Sequence, residues 1–187
     1  MPVDVEDLLE QIAIQVRACT NCALHKGRAN AVPGEGPPDA ELMFVGEAPG
    51  ADEDRQGRPF VGRSGQLLRR TIVEAGLQEA EVFIGNVLKC RPPGNRDPLD
   101  GEIATCRHYL EAQISLVRPK VIVTLGRFSL NLLISPELKI SKVRGQHIRR
   151  GGQLFLPTWH PSAVLRNNNL LPEFKRDIVV AKKLAYG

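Results

Sequence analysis

Short apolar segments that alternate with amphipathic segments are the feature of this 187-residue chain that most restricts its fold. Four segments have the length and composition of buried strands, and they lie at 41–45, 82–88, 121–125 and 154–159. Segments with apolar residues at helical spacing alternate with them, at 4–18, 64–75, 102–118, 128–134 and from Pro172 onward. Strands that are apolar throughout are typical of a parallel sheet covered on both faces. The sequence therefore predicts an α/β fold, a three-layer α/β/α sandwich with a four-stranded parallel sheet.

Length and charge indicate a soluble protein with one domain, spanning residues 1–187. The first eleven residues include four acidic ones, whereas a secretory signal needs basic residues followed by an apolar run. No apolar run approaches the length of a membrane span. We therefore expect a cytoplasmic monomer that does not contact a membrane. The net charge of +4 suits a polyanionic partner, and the basic stretch 141–152 is either a phosphate-binding loop or solvated surface.

The four cysteines are arranged as a C-x2-C pair, Cys19 and Cys22, and a second pair, Cys90 and Cys106, separated by fifteen residues. Disulfides are the least favoured arrangement, because a cytosolic protein keeps its thiols reduced and this length needs no covalent cross-links. C-x2-C is a common half of a zinc site, although zinc ribbons usually close with a second short pair. Four thiolates from distant loops can also hold an iron–sulfur cluster. The spacing favours a metal or cluster site over unliganded cysteines and does not choose between zinc and iron.

Polar residues stand at the ends of three of the four predicted strands. Glu47 follows the first strand, Asn86 lies in the second, and His160 follows the fourth. In parallel sheets, ligands bind beyond the carboxyl ends of the strands, so these side chains are predicted to meet in one cleft. Each has a structural alternative when taken alone, as a turn residue, a buried amide or a packed imidazole. Together they could read a nucleobase edge and donate to a developing anion.

The Gly/Pro-rich segment 57–64 resembles a phosphate-binding P-loop only superficially. Arg63 stands where that motif has lysine, and no strand leads directly into the segment, so we reject this interpretation. Phe60 within it is either a plug over the core or a stacking platform for a flat ring. The acidic run 52–54 is predicted to be a solvated helix start rather than a metal site.

These motifs together resemble one family, the iron–sulfur-containing family 4 uracil-DNA glycosylases of bacteria and archaea. The resemblance covers most of the chain, from Cys19 to Arg166, with every motif in order. The segments that carry it, besides the two cysteine pairs, are G-E-A-P-G at 46–50, G-R-P-F-V-G-R-S-G-Q-L-L at 57–68, G-N-V-L-K-C-R-P-P at 85–93 and H-P-S-A-V-L-R at 160–166.

The resemblance implies a nucleoid-associated enzyme that flips uracil out of single- or double-stranded DNA and hydrolyses its N-glycosidic bond. It implies that Phe60 stacks on the uracil, that Asn86 bonds its N3–H and O4, and that His160 faces O2. Gly46, Glu47 and Ala48 would line the pocket, with Glu47 acting on water and on the cationic sugar. The remaining implied roles are DNA contacts by Ser162, Val164, Leu165 and Arg166, and a structural [4Fe-4S] cluster on Cys19, Cys22, Cys90 and Cys106.

Two neighbouring subfamilies differ from this chain. One begins its first motif with G-L-A-P-G and lacks the carboxylate that Glu47 supplies here. Another inserts K-R-R-I-H and traps its product covalently, and the loop after Asn86 has no such insert, so we expect turnover.

The competing functional classes are a metal-stapled nucleic-acid-binding module without catalysis and an electron-transfer protein. An abasic product or a reversible reduction potential would distinguish them.

Overall fold

The structure is a computed structural model that describes residues 4–187. Its eight α-helices within that range are α1 (Val5–Ala18), α2 (Ala51–Gln56), α3 (Arg63–Glu74), α4 (Asp100–Val117), α5 (Arg127–Leu133), α6 (Ile140–Val143), α7 (Pro161–Arg166) and α8 (Leu171–Tyr186). Its five strands are β1 (Leu42–Gly46), β2 (Phe83–Asn86), β3 (Val121–Leu125), β4 (Ile148–Arg150) and β5 (Gln153–Thr158). Within this range, no helix is long and apolar enough to cross a bilayer.

The sheet has five strands in the order β2-β1-β3-β5-β4. Strands β2, β1, β3 and β5 are parallel, as predicted. Their register sets Gly46 of β1 beside Asn86 of β2. The prediction of four strands was wrong by one. The short β4, whose sequence is Ile-Arg-Arg, pairs antiparallel with β5 at the edge of the sheet. Because its pairing depends on β5 rather than on its own apolar pattern, the sequence showed only a basic turn-rich stretch there.

The helices cover both faces of the sheet, which confirms the predicted three layers. Alternate side chains of β1 point to opposite faces, as the two-residue period of a strand requires. Leu42 and Phe44 pack among the apolar side chains of α3, α7 and α8. Met43 and Val45 pack among those of α4, α5 and α6 on the other face. The polar residues at the strand ends are thereby held on a rigid central layer.

A third apolar cluster lies between α1 and α4. Ile12 and Val16 of α1 contact Tyr109 of α4 there, together with Leu88. Helix α1 begins at the predicted position because Asp4 accepts the N–H of Glu6 as an N-cap. Since α1 packs on α4 rather than on the sheet, it carries the C-x2-C pair that follows it toward the second pair of cysteines.

The start of α3 differs from the predicted one, and a side chain of another element binds the backbone there. Helix α3 begins at Arg63 with Gly62 at the N-cap, not at Ser64. The carboxylate of Glu53 in α2 accepts the N–H groups of Val61 and Gly62 at 2.9 and 2.8 Å. A buried helix start requires such partners, and here they come from another element rather than from the adjacent sequence.

Candidate active site

A cavity of about 340 Å³ opens at the carboxyl ends of β1, β2 and β5. The sequence-predicted residues that line it are Glu47, Ala48, Phe60, Asn86, His160, Ser162 and Arg166. The carboxylate, the amide and the imidazole at the ends of three different strands therefore meet in one cleft, as predicted.

Gly46 lies beneath this cavity, where two side chains occupy the place of its missing Cβ. A Cβ built on Gly46 would lie 2.4 Å from the Phe60 ring and 2.5 Å from Oδ1 of Asn86. Both contacts are far too short for a real Cβ, so only glycine fits at this position. The ring of Phe60 and the amide of Asn86 consequently lie next to the same point of the cavity wall.

The side chain of Asn86 is buried and incompletely bonded. Only 3% of its surface is exposed, and its Oδ1 has no hydrogen-bond partner within residues 4–187. A buried acceptor left without a partner costs free energy, on the order of 1–3 kcal/mol. Such a group lining a cavity indicates a site that receives its hydrogen-bond donor from a ligand.

The ring of Phe60 is part of the core and also forms a wall of the cavity. Its centroid lies 6.0 Å from that of the His160 ring, and the two planes are inclined by 33°. The two interpretations of Phe60, plug and platform, are therefore compatible. The Phe60 ring packs with the core and also borders the space beside Asn86.

His160 is the N-cap of α7, and its Nδ1 accepts the N–H of Ser162 at 3.1 Å. The Ser162 hydroxyl lies 2.8 Å from the same nitrogen. Burial, followed by the positive charge of Arg166, lowers the pKa of His160 to about 4. The ring is therefore neutral near pH 7, and because Nδ1 accepts, its proton is on Nε2. His160 can donate one hydrogen bond without carrying a charge.

Glu47 has both acidic and basic side chains near it. Burial raises the pKa of its carboxyl, the neighbouring Asp97 raises it further, and Arg127 and Arg166 oppose this effect. Asp97 forms an ion pair with Arg127 at the start of α5. A carboxyl with a raised pKa in a cleft is typical of a group that exchanges protons during catalysis.

Sequence reasoning missed several residues of this cavity. Asn95, Arg96 and Asp97 line it from the loop between β2 and α4. Turn-forming composition was the only signal in that loop, and composition does not reveal the path a loop takes. The acidic run at 52–54 was also misjudged as solvated. Glu53 and Asp54 are buried, because their carboxylates accept backbone N–H groups from two other loops.

The four residues expected to contact DNA are placed differently from one another. Ser162 and Arg166 line the cavity, and Leu165 is 43% exposed beside it in α7. Val164 is only 1% exposed and packs in the core, so its expected role at the surface is corrected. Successive residues of a helix point in different directions, and the tertiary contacts of α7 turn Val164 inward and Leu165 outward.

The four cysteines line one small, apolar space between α1 and α4, and none forms a disulfide. The guanidinium of Arg28 donates to Sγ of Cys90 at 3.0 Å. Across residues 4–187, no three His, Cys, Asp or Glu side chains are arranged to hold a single metal ion. The four cysteines therefore border one space, although they come from three separate segments of the chain.

Comparison with known proteins identifies the family of this chain. Residues 33–181 match the family model described as the Uracil DNA glycosylase superfamily, which covers most of the chain. The chain belongs to this superfamily. Three similar curated relatives of the superfamily are type-4 uracil-DNA glycosylases from Sulfurisphaera tokodaii, Thermotoga maritima and Saccharolobus solfataricus. The Sulfurisphaera protein is 48% identical to this chain, over 96% of this chain and 86% of its own length. The Thermotoga protein is 47% identical, over 95% of this chain and 94% of its own length. The Saccharolobus protein is 47% identical, over 95% of this chain and 86% of its own length.

These relatives confirm the resemblance to family 4 drawn from the sequence motifs. The mostly parallel sheet flanked by helices is the uracil-DNA glycosylase-like α/β fold. The superfamily match begins at residue 33, whereas the three relatives extend the similarity across nearly the whole chain. Their alignment therefore spans the part of the chain that holds Cys19 and Cys22.

Proposed function

We propose that this protein excises uracil from DNA by hydrolysing its N-glycosidic bond, leaving an abasic site. The observation that carries the proposal is the side-chain oxygen of Asn86, a buried acceptor without a partner in residues 4–187 and next to the Phe60 ring. A planar base with an N–H at its edge would supply the missing donor and a face for the ring. Uracil has both features.

Asn86 would discriminate uracil from cytosine by the direction of its hydrogen bonds. The N3–H of uracil would donate to Oδ1, and the Nδ2–H of the amide would donate to O4 of the base. Cytosine has an amino group in place of O4 and no proton on N3, so the same amide would face mismatched groups. A buried mismatch costs ~1–3 kcal/mol or more, which disfavours cytosine in the site.

Cleavage of the bond between N1 and C1′ leaves the electron pair on the base and positive charge on the sugar. The Nε2–H of His160 would donate to O2 as negative charge develops there, which stabilises the leaving uracil anion. Glu47 would stabilise the cationic sugar and accept a proton from the attacking water. The hydroxyl then bonds to C1′, and the departing uracil anion takes up a proton from solvent.

The base must leave the stack before it can enter the cavity, at a cost on the order of a few kcal/mol in a duplex. Arg166 and Ser162, at the mouth of the cavity, suit contacts with the flanking phosphates. The exposed Leu165 is the side chain of α7 suited to fill the vacated space in the stack.

The test is incubation of the protein with an oligonucleotide that contains one uracil, followed by alkali. We expect strand cleavage at the uracil position only after alkali, because a glycosylase leaves an abasic site and an intact backbone. A matched oligonucleotide with thymine at that position is the control. Binding of the uracil strand without any alkali-sensitive site would instead support a module that binds DNA without catalysis.

We further propose that Cys19, Cys22, Cys90 and Cys106 hold a structural [4Fe-4S] cluster. All four line one apolar space, and four thiolates gathered from separate segments of the chain are a ligand set typical of such a cluster. The hydrogen bond that Arg28 donates to Sγ of Cys90 is of the kind that sulfurs accept in iron–sulfur proteins. When bound, the cluster would cross-link the loop after α1 to α4.

The cluster predicts a coloured protein. Anaerobically purified protein should be brown, absorb at about 400 nm and contain about four irons per chain. Cys106→Ser should lose this absorbance and unfold at a lower temperature, because one tie between α4 and the other loops is removed. Colourless protein with one zinc per chain would exclude the cluster.

The role of Glu47 predicts an acid limb in the pH profile. The single-turnover rate should fall as the pH drops through the raised pKa of Glu47, because the protonated carboxyl cannot accept a proton from water. Glu47→Gln should be slower at pH 7 by about 10²-fold and lack this limb. The limb does not arise from His160, since its pKa lies at about 4.

Asp97→Asn is the matched control for that experiment. It removes the negative charge that raises the pKa of Glu47 and leaves Arg127 and Arg166, which lower it, in place. The acid limb should therefore move to lower pH while the rate at neutral pH is retained. A near-normal rate for Glu47→Gln at pH 7 would remove Glu47 from the catalytic residues.

A further inference from the structure

The backbone of Phe60 adopts a conformation that side chains other than glycine rarely occupy. Its φ is +52°, in the left-handed region. Residues held in this region persist only when their surroundings determine the conformation. Part of that constraint is Gly65, where a Cβ would lie 2.0 Å from the carbonyl carbon of Phe60. The first turn of α3 therefore leaves no room between itself and the Phe60 backbone.

Arg69 binds this loop from the carbonyl side. Its Nε donates to the carbonyl of Phe60 and its Nη2 to that of Pro59, both at 2.8 Å. The same guanidinium is oriented from outside by Glu35 and Glu79, each at 2.7 Å. The planar fork of arginine suits two adjacent carbonyls, which a lysine could not bind in the same way.

Glu53 binds the loop from the opposite side. Its Oε1 accepts the N–H groups of Val61 and Gly62, and its Oε2 accepts the N–H of Gly50 at 3.2 Å. Gly50 ends the turn that carries Glu47, so one buried carboxylate ties the Phe60 loop to that turn. The peptide groups on both sides of Phe60 are therefore fixed by side chains that do not belong to the loop.

We propose that Arg69 and Glu53 are positioning residues that hold the Phe60 ring in place before a base arrives, so that stacking requires no ordering of the loop. The proposal rests on the proposed function, since it assigns the purpose of the ring to that site. A platform ordered in advance avoids the entropic cost of arranging it on binding. Arg69 contributes without contacting the base, through the carbonyls of Pro59 and Phe60.

The test is a double-mutant cycle between Arg69→Met and Phe60→Ala in single-turnover excision. Phe60→Ala should lower the rate by about 10- to 100-fold through lost stacking, and Arg69→Met by about tenfold through displacement of the ring. In the Phe60→Ala background, Arg69→Met should cost less than about twofold, because the ring it positions is absent. Inhibition by free uracil provides a readout independent of DNA, and its Ki should rise about tenfold in Arg69→Met.

Arg58→Met is the matched control. Arg58 also pairs with Glu35, at 2.9 Å, but it is exposed and donates to neither carbonyl of the loop. Its replacement should change the rate and the Ki of uracil by less than about twofold. Melting temperatures of all variants show which remain folded, and Arg69→Lys, which keeps the charge toward Glu35 and Glu79, replaces Arg69→Met if the latter is unfolded.

Two results would overturn the positioning role. One is a loss from Arg69→Met that is equally large with and without the Phe60 ring, and the other is an unchanged Ki for uracil. Failure of the proposed function is distinguishable, because it would appear as the absence of abasic product from the unsubstituted protein.

Discussion

Replacing His160 by alanine is expected to lower single-turnover excision of uracil by about 10²- to 10³-fold, because the donor aimed at the leaving base is lost. Binding of uracil-containing DNA should change by less than about threefold, since that hydrogen bond strengthens only as the bond breaks. The measurement is rapid quenching under single-turnover conditions with a separate titration of DNA binding.

The low pKa of His160 keeps its donor available near neutral pH and makes the stability of the protein depend on pH. Burial and Arg166 lower the pKa of His160 to about 4, so its Nε2–H is available throughout the range from pH 5 to 8. The unfolded protein takes up a proton on this imidazole near pH 6.5, and the folded protein does not until about pH 4. Between pH 6.5 and about pH 4 only the unfolded protein binds this proton, so the free energy of unfolding is highest above pH 6.5 and decreases as the pH falls toward 4.

Ser162→Ala tests how much the orientation of the His160 ring contributes to the excision rate, because the ring itself is retained. The hydroxyl of Ser162 is removed, but its backbone N–H still donates to Nδ1 and keeps the proton on Nε2. A loss of about two- to fivefold is expected, far smaller than for His160→Ala. His160 also caps α7, so melting temperatures must accompany both rates. Equal losses of excision and DNA binding in His160→Ala would show a structural role only.

Replacing Asn86 by aspartate should reduce the preference for uracil over cytosine by about 5- to 150-fold, the equivalent of one buried mismatch. The carboxyl has lost the donor that meets O4 of uracil. When protonated it can donate to N3 of cytosine and accept from its amino group. Excision from oligonucleotides that differ only in uracil or cytosine, measured as a ratio of rates, gives the result.

Thr124→Val is the matched control for this substitution. Oγ1 of Thr124 and Oδ1 of Asn86 are both buried side-chain oxygens without a partner in the part of the chain described, and Thr124 does not line the cavity. Removing its hydroxyl should leave the ratio of rates unchanged and the protein equally or more stable. An unchanged ratio in Asn86→Asp would remove the amide from base recognition.

Much of this site followed from the order of strands in the sequence. Glu47, Asn86 and His160 could be assigned to one cleft from the sequence, because each lies at the end of an apolar segment and parallel strands end at one edge of a sheet. The loop residues of the cavity could not. Asp97 carries no periodic signal, and only the ion pair with Arg127 and the packing of the loop bring it beside Glu47.

Burial of polar groups was the other property that local sequence did not reveal. Glu53 has the composition of an exposed helix start, yet it binds backbone N–H groups of two loops from within the protein. Val164 and Leu165 are adjacent and equally apolar, and only the packing of α7 decides which one faces the core. Likewise, β4 exists because β5 offers it an edge to pair with.

The α/β class, the four parallel strands and the residues at their ends could be predicted from the chain, because strand and helix periodicity are properties of neighbouring residues. Three features became apparent only in the folded protein: the strained backbone of Phe60, the side-chain oxygen of Asn86 that lacks a partner within residues 4–187, and the neutral state of His160. Each of these depends on groups distant in the chain that remove water or supply a bond, and no local pattern encodes that proximity.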